Sequence, residues 1–154
     1  MTRVLLAIVA ILIAGCRSGL DPVTFDFAHE ACRYCRMTGS TGRVAAQIVS
    51  ASEEPLYFDD IGCLRDYLKQ SGRPGGEAQV FVTDHRTGVW IRTDRATFSF
   101  DEHIATPMGS HLVAHESPGS RDSDQDLRKP LPRTALEIFG ETLPGAGRSR
   151  RSPA

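Results

Sequence analysis

From residue 43 onward the chain alternates short apolar runs with polar, glycine-bearing breaks, and each run suits a strand or a brief helix. Residues 43–50 (RVAAQIVS) predict a strand. Residues 54–58 predict a second, with Leu56 and Phe58 on one face. Ile61, Leu64 and Leu68 recur at intervals of three and four, which predicts a helix over 61–70. Asp59 and Asp60 just before it can accept its free N–H groups, and the stretch Ser71-Gly72-Arg73-Pro74-Gly75-Gly76 ends it. Residues 78–83 and 89–93 read as strands joined by a hairpin turn over 84–88, where Gly88 supplies a positive φ. Phe98 and Phe100 stand at strand spacing within 95–102, 106–109 form a turn, and 111–115 form a short strand. Residues 116–132 are polar and proline-bounded, which predicts a loop, and 135–139 allow one or two helical turns. Residues 19–28 contain Pro22 and read as linker, although Phe25 and Phe27 alternate as in a short lead-in strand; 32–42 are rich in turn formers and read as loop. Strands and helices mix without a βαβ rhythm. The predicted class is α+β, a small mixed sheet with one or two short helices.

The amino end breaks this pattern. One arginine precedes eleven unbroken apolar residues, 4–14, too few to span a bilayer and typical of the central region of a signal peptide. Ile13-Ala14-Gly15-Cys16 follows and resembles a bacterial lipobox. The expectation is a signal peptide over 1–15, lipidation at Cys16, and a polar tether over 16–28. The mature protein would then stand outside the cytoplasm on a lipid anchor, in an oxidising compartment, with the inner or outer membrane left open. Cys32, Cys35 and Cys63 would be its protein thiols, an odd number that one disulfide cannot use up. The remaining domains are a folded unit over 29–116 and, over 117–154, a loop, a short helix and a disordered basic tail. At 154 residues with a net charge of −1, nothing points to nucleic acid, and no P-loop or GxGxxG turn suggests a nucleotide.

The candidate chemistry centres on Cys32-Arg33-Tyr34-Cys35-Arg36-Met37, two thiols and a thioether within six residues. Alone, a CxxC fits a zinc site, a redox dithiol or a disulfide as well as copper. The methionines alter the balance. Met37 and Met108 both lie in turns rather than in apolar runs, and a thioether is a poor zinc ligand and a good Cu(I) ligand. A second CxxC at zinc spacing is absent, and a Gly/Ser/Thr-rich loop follows where a thioredoxin-type dithiol would open a helix. His29, three residues before Cys32, is the nearest additional ligand in sequence. His85 and His103 read as solvated surface residues, and His111 and His115 flank a strand on a shared face. Cys63 reads as a buried small hydrophobe on its helix, and Tyr34 and Trp90 as packing residues. With Asp59 and Asp60 explained as helix caps and no Ser–His–Asp arrangement visible, the chain does not read as an enzyme.

Taken in order, Cys32-x-x-Cys35-x-Met37, Phe58-Asp59-Asp60-Ile61-Gly62-Cys63, Val82-Thr83-Asp84 to Trp90-Ile91, and Pro107-Met108-Gly109 resemble the NosL family across 31–114. That resemblance implies a lipid-anchored Cu(I) metallochaperone for nitrous-oxide reductase or a related copper enzyme, working with an ABC-type membrane complex. It also implies a small α+β fold like the non-catalytic part of organomercurial lyase. Carried over by motif, Cys32, Cys35, Met37 and Met108 are the metal ligands it implies. The family usually has glycine where this chain has Arg36, a cation expected to lower the neighbouring thiol's pKa. The competing reading is an extracytoplasmic thiol-disulfide or copper-thiol oxidoreductase using the CxxC pair.

Overall fold

The computed structural model describes residues 20–38, 40–75, 77–140 and 143. The predicted signal peptide, Cys16 and the basic tail lie outside the described residues. Among these residues, two small antiparallel sheets and three short helices form an α+β fold. The first sheet has the order β2-β1-β3-β4, from β1 (Ala46–Val49), β2 (Leu56–Phe58), β3 (Gln79–Thr83) and β4 (Trp90–Arg92). The second has the order β6-β5-β7, from β5 (Thr97–Phe100), β6 (Leu112–His115) and β7 (Leu131–Arg133). Helix α1 (Ile61–Ser71) joins β2 to β3, α2 (Pro118–Asp122) follows β6, and α3 (Ala135–Phe139) follows β7.

The inner face of the first sheet, with Ala46, Ile48, Phe58, Val80 and Val82, packs against Ile61, Leu64 and Leu68 of α1. Phe98, Leu112 and Ala114 of the second sheet and Ile138 and Phe139 of α3 join the same core. Alternation along the strands therefore served its purpose, and the helix stripe read from Ile61, Leu64 and Leu68 faces inward. A lone parallel bridge between Asp84 and Ala114 links the sheets, where the His85 N–H donates to the Ala114 carbonyl at 2.8 Å.

Three expectations need correction. The lead-in around Phe25 and Phe27 is not a strand, and it is not a free tether from residue 20 onward. Val23 and the Gln47 side-chain amide exchange two hydrogen bonds, at 2.9 and 3.2 Å, so the fully buried amide replaces a strand partner. Phe25 and Phe27 lie against Tyr57, covering the sheet's second face. Gly42, at φ +72°, makes room for this: a Cβ there would meet the Phe27 ring at 2.5 Å. Second, the loop expected over 116–132 contains α2 and the start of β7. Their signal is weak because α2 is only five residues long and β7 carries Pro132, which an edge strand tolerates. Third, His85 is buried rather than solvated.

Candidate metal centre

Cys32 sits where the loop after the lead-in turns back on itself. Its N–H donates to the Met37 carbonyl at 2.9 Å and its carbonyl accepts the Arg36 N–H at 3.0 Å, closing a tight loop around the two cysteines. The Arg33 N–H donates to the Tyr57 carbonyl at 2.7 Å and pins that loop to β2. Arg36 occupies φ +66°, the left-handed region, which accounts physically for a preference for glycine at this position.

The third thiol arrives from α1. Asp60 caps that helix, as the sequence predicts, accepting the Gly62 N–H at 2.6 Å. The first turn then directs Cys63 toward the loop. Asp59 does not cap; its carboxylate accepts from the Cys35 thiol at 3.6 Å. One ligand atom from each of Cys32, Cys35, Asp59 and Cys63 lies within 4.8 Å of all the others. Cys32, Asp59 and Cys63 are buried and Cys35 is partly exposed, and the three cysteines are free thiols. The expectation that Cys63 is buried holds. That it also faces the other thiols, and that Asp59 joins them, was not read from the sequence; the adjacent Asp-Asp and the Cys two residues into a helix were the available signals.

The thiols are not equivalent. A hydrogen bond from the Cys63 thiol, with help from the Asp59 and Cys35 N–H groups, brings Cys32 down to about 6 against the resistance of burial. The same bond, with burial, pushes Cys63 well up. Burial raises Cys35 to about 11, opposite to the lowering expected from Arg36 beside it. Within the cluster, ionisation is therefore favoured at Cys32 over Cys35 and Cys63.

Met37 is 41% exposed and lines a cavity of about 430 Å³ with Asp59, Thr106 and Pro107. Met108, 48% exposed, follows directly. Its N–H donates to Asp60 Oδ2 at 2.9 Å, and the Ser110 hydroxyl donates to Oδ1 of the same carboxylate. The residue capping α1 thus also holds the Met108 turn against the start of that helix. Gly62 permits this approach, because a Cβ there would lie 2.5 Å from Ser110 Cβ. His29 is placed apart from the four-residue cluster: its side chain is 83% exposed and paired with Asp26 at 2.7 Å. His111 and His115 do not share an environment. His111 takes φ +58° and its Nδ1 meets the Ile104 carbonyl, while His115 is fully buried against Asp124.

In comparison with known families, the NosL family model matches residues 22–122. The chain belongs to the NosL family. Searches of curated proteins and of solved structures find no match. The matched span of this NosL chain includes the whole thiol cluster, Met37 and Met108. Membership points to a copper-binding accessory role, and the Cys32–Cys35–Asp59–Cys63 group can hold a metal ion. No helix among the described residues is long and apolar enough to cross a membrane.

Proposed function

We propose that this NosL-family protein binds Cu(I) as cargo at Cys32, Cys35 and Cys63, with Met37 and Met108 at the solvent side, and passes it to a copper enzyme. The observation that carries the reading is the convergence of three sulfur atoms and the Asp59 carboxylate, which itself lines a cavity together with Met37. Thiolate and thioether together favour Cu(I) over zinc. Cu(I) accepts two to four ligands, so an exposed thioether can bind and let go while the buried thiols stay in place. His29, exposed and paired with Asp26, stands outside this ligand set. The protein is an accessory factor rather than an enzyme. It is anchored outside the cytoplasm through a lipidated Cys16, and it serves nitrous-oxide reductase or a related copper enzyme through an ABC-type membrane complex. The thiol-exchange alternative is disfavoured because the low-pKa sulfur, Cys32, is wholly buried and out of reach of a substrate disulfide.

The test is a Cu(I) titration of the reduced protein against a bathocuproine-type competitor. About one Cu(I) should bind per chain. Cys35→Ser, and the double variant Met37→Ala/Met108→Ala, should each weaken affinity at least tenfold, about 1.4 kcal/mol. Undiminished affinity in both would overturn the assignment. Palmitate labelling lost in Cys16→Ala tests the anchor.

A further inference from the structure

The geometry points to a second metal site, built from His85, His115 and Asp124 and suited to a divalent ion such as Zn(II) rather than to Cu(I). Two imidazoles aim at one carboxylate oxygen: His85 Nδ1 lies 2.7 Å and His115 Nε2 2.9 Å from Asp124 Oδ2. All three side chains are at least nine-tenths buried. Their ligand atoms fall within 4.8 Å of one another, as the corners of a small coordination site must. Two nitrogens and a carboxylate oxygen, with no sulfur, form a borderline donor set that suits zinc and is poor for Cu(I).

Two further features support a site rather than a chance contact. Asp124 Oδ1 accepts the Asp126 N–H at 3.0 Å, which fixes the carboxylate with Oδ2 directed at the histidines. Among the described residues, buried His115 Nδ1 has no hydrogen-bond partner. The ring is thus oriented for Nε2 alone, at the expense of its other nitrogen. The three segments are also locked before any ion arrives. The Asp84 carboxylate accepts from the Arg86 and Thr87 N–H groups on one side, and from the Glu116 N–H and the Ser120 hydroxyl on the other. It therefore ties together the chain next to His85, the chain next to His115, and α2, which leads to Asp124. His85 also lines a surface cavity of about 440 Å³, giving an ion an approach.

The experiment uses the full reduced chain preloaded with Cu(I), so that the thiols are occupied. Zn(II) is then titrated against a chromogenic chelator, and zinc-edge X-ray absorption is recorded. About one Zn(II) should bind per chain beyond the copper, with nitrogen and oxygen scatterers at about 2.0–2.2 Å and none of sulfur at about 2.3 Å. His85→Gln and Asp124→Asn should each weaken Zn(II) binding at least tenfold and leave Cu(I) stoichiometry unchanged. If Asp124→Asn fails to fold, the scattering shell and His85→Gln still decide. With the thiols copper-loaded, a sulfur shell, no Zn(II) bound beyond the copper, or wild-type affinity in the folded variants would overturn the site. If the thiols took no Cu(I), zinc bound there would carry the sulfur shell, so failure of the copper reading and failure of this one stay distinguishable.

Discussion

Replacing Asp60 by asparagine should separate the helix cap from the hold on Met108. The carboxylate is fully buried and serves three donors. Oδ1 accepts the Gly62 N–H and the Ser110 hydroxyl, and Oδ2 accepts the Met108 N–H. Asparagine keeps the size and one carbonyl oxygen. Turning that oxygen toward Gly62 and Ser110 preserves two bonds and sets the new NH2 against the Met108 N–H. A hydrogen bond to a charged group contributes about 1.5–3 kcal/mol, and a donor left unpaired in a buried place falls in the same range. The expected loss is therefore about 2–3 kcal/mol. At a urea slope of about 2 kcal/mol/M, the unfolding midpoint should drop by about 1–1.5 M with the slope unchanged. Asp60→Ala removes the cap as well, and should lose about 1 kcal/mol more. Urea denaturation followed by circular dichroism measures both. Equal midpoints for Asp60→Asn and wild type would refute the claim that this carboxylate holds the Met108 turn, and equal losses for the two variants would refute the separation into cap and hold.

Thiolate absorbance of the reduced protein should rise with a midpoint near pH 6, from Cys32, and Cys63→Ala should move that midpoint upward because it removes the main lowering partner. Cys32 has a folded pKa below its unfolded one, so its stabilising contribution is complete above about pH 9 and fades as pH falls toward 6; Cys35, raised to about 11, loses its contribution as pH climbs from 9 to 11. Urea midpoints measured across pH 6 to 9 should rise accordingly. Arg36→Gly should change stability by less than about 1 kcal/mol, because relief of the left-handed backbone is offset by a freer unfolded chain; calorimetry giving a large loss would mean that the Arg36 side chain matters. Gly62→Ala should destabilise by about 1–3 kcal/mol through the clash with Ser110, and adding Ser110→Gly should recover part of it in the same thermal melts.

Local pattern made most of the architecture legible. The Ile61–Leu64–Leu68 stripe, the Asp60 cap and the Gly88 turn each depend on neighbours a few residues away, and each stands where the sequence puts it. What escaped depends on distant partners. His85 looks solvated in a polar turn, and the partners that lie against it, His115 and Asp124, stand 30 and 39 residues further on. Asp59 and Asp60 look like a redundant pair of caps, until the loop carrying Cys35 arrives to engage one of them and the Met108 turn the other. That Cys32 and Cys35 stand together was legible from their spacing. Cys63 was legible as a buried residue but not as a neighbour of Cys32, because a helix periodicity says which face is inward and not what waits there.

The two sheets meet at the Asp84–Ala114 bridge, and they carry different parts of the proposed copper site. The cysteine loop is pinned to β2 in the first sheet, whereas the Met108 turn connects β5 to β6 in the second. The gap between the cysteine loop and the Met108 turn is thus set by that bridge and by the Asp60 carboxylate. Its width is a mechanical property of how two stiff plates are fastened together. A change at the fastening can widen or narrow the gap while every strand pairing within each plate stays whole.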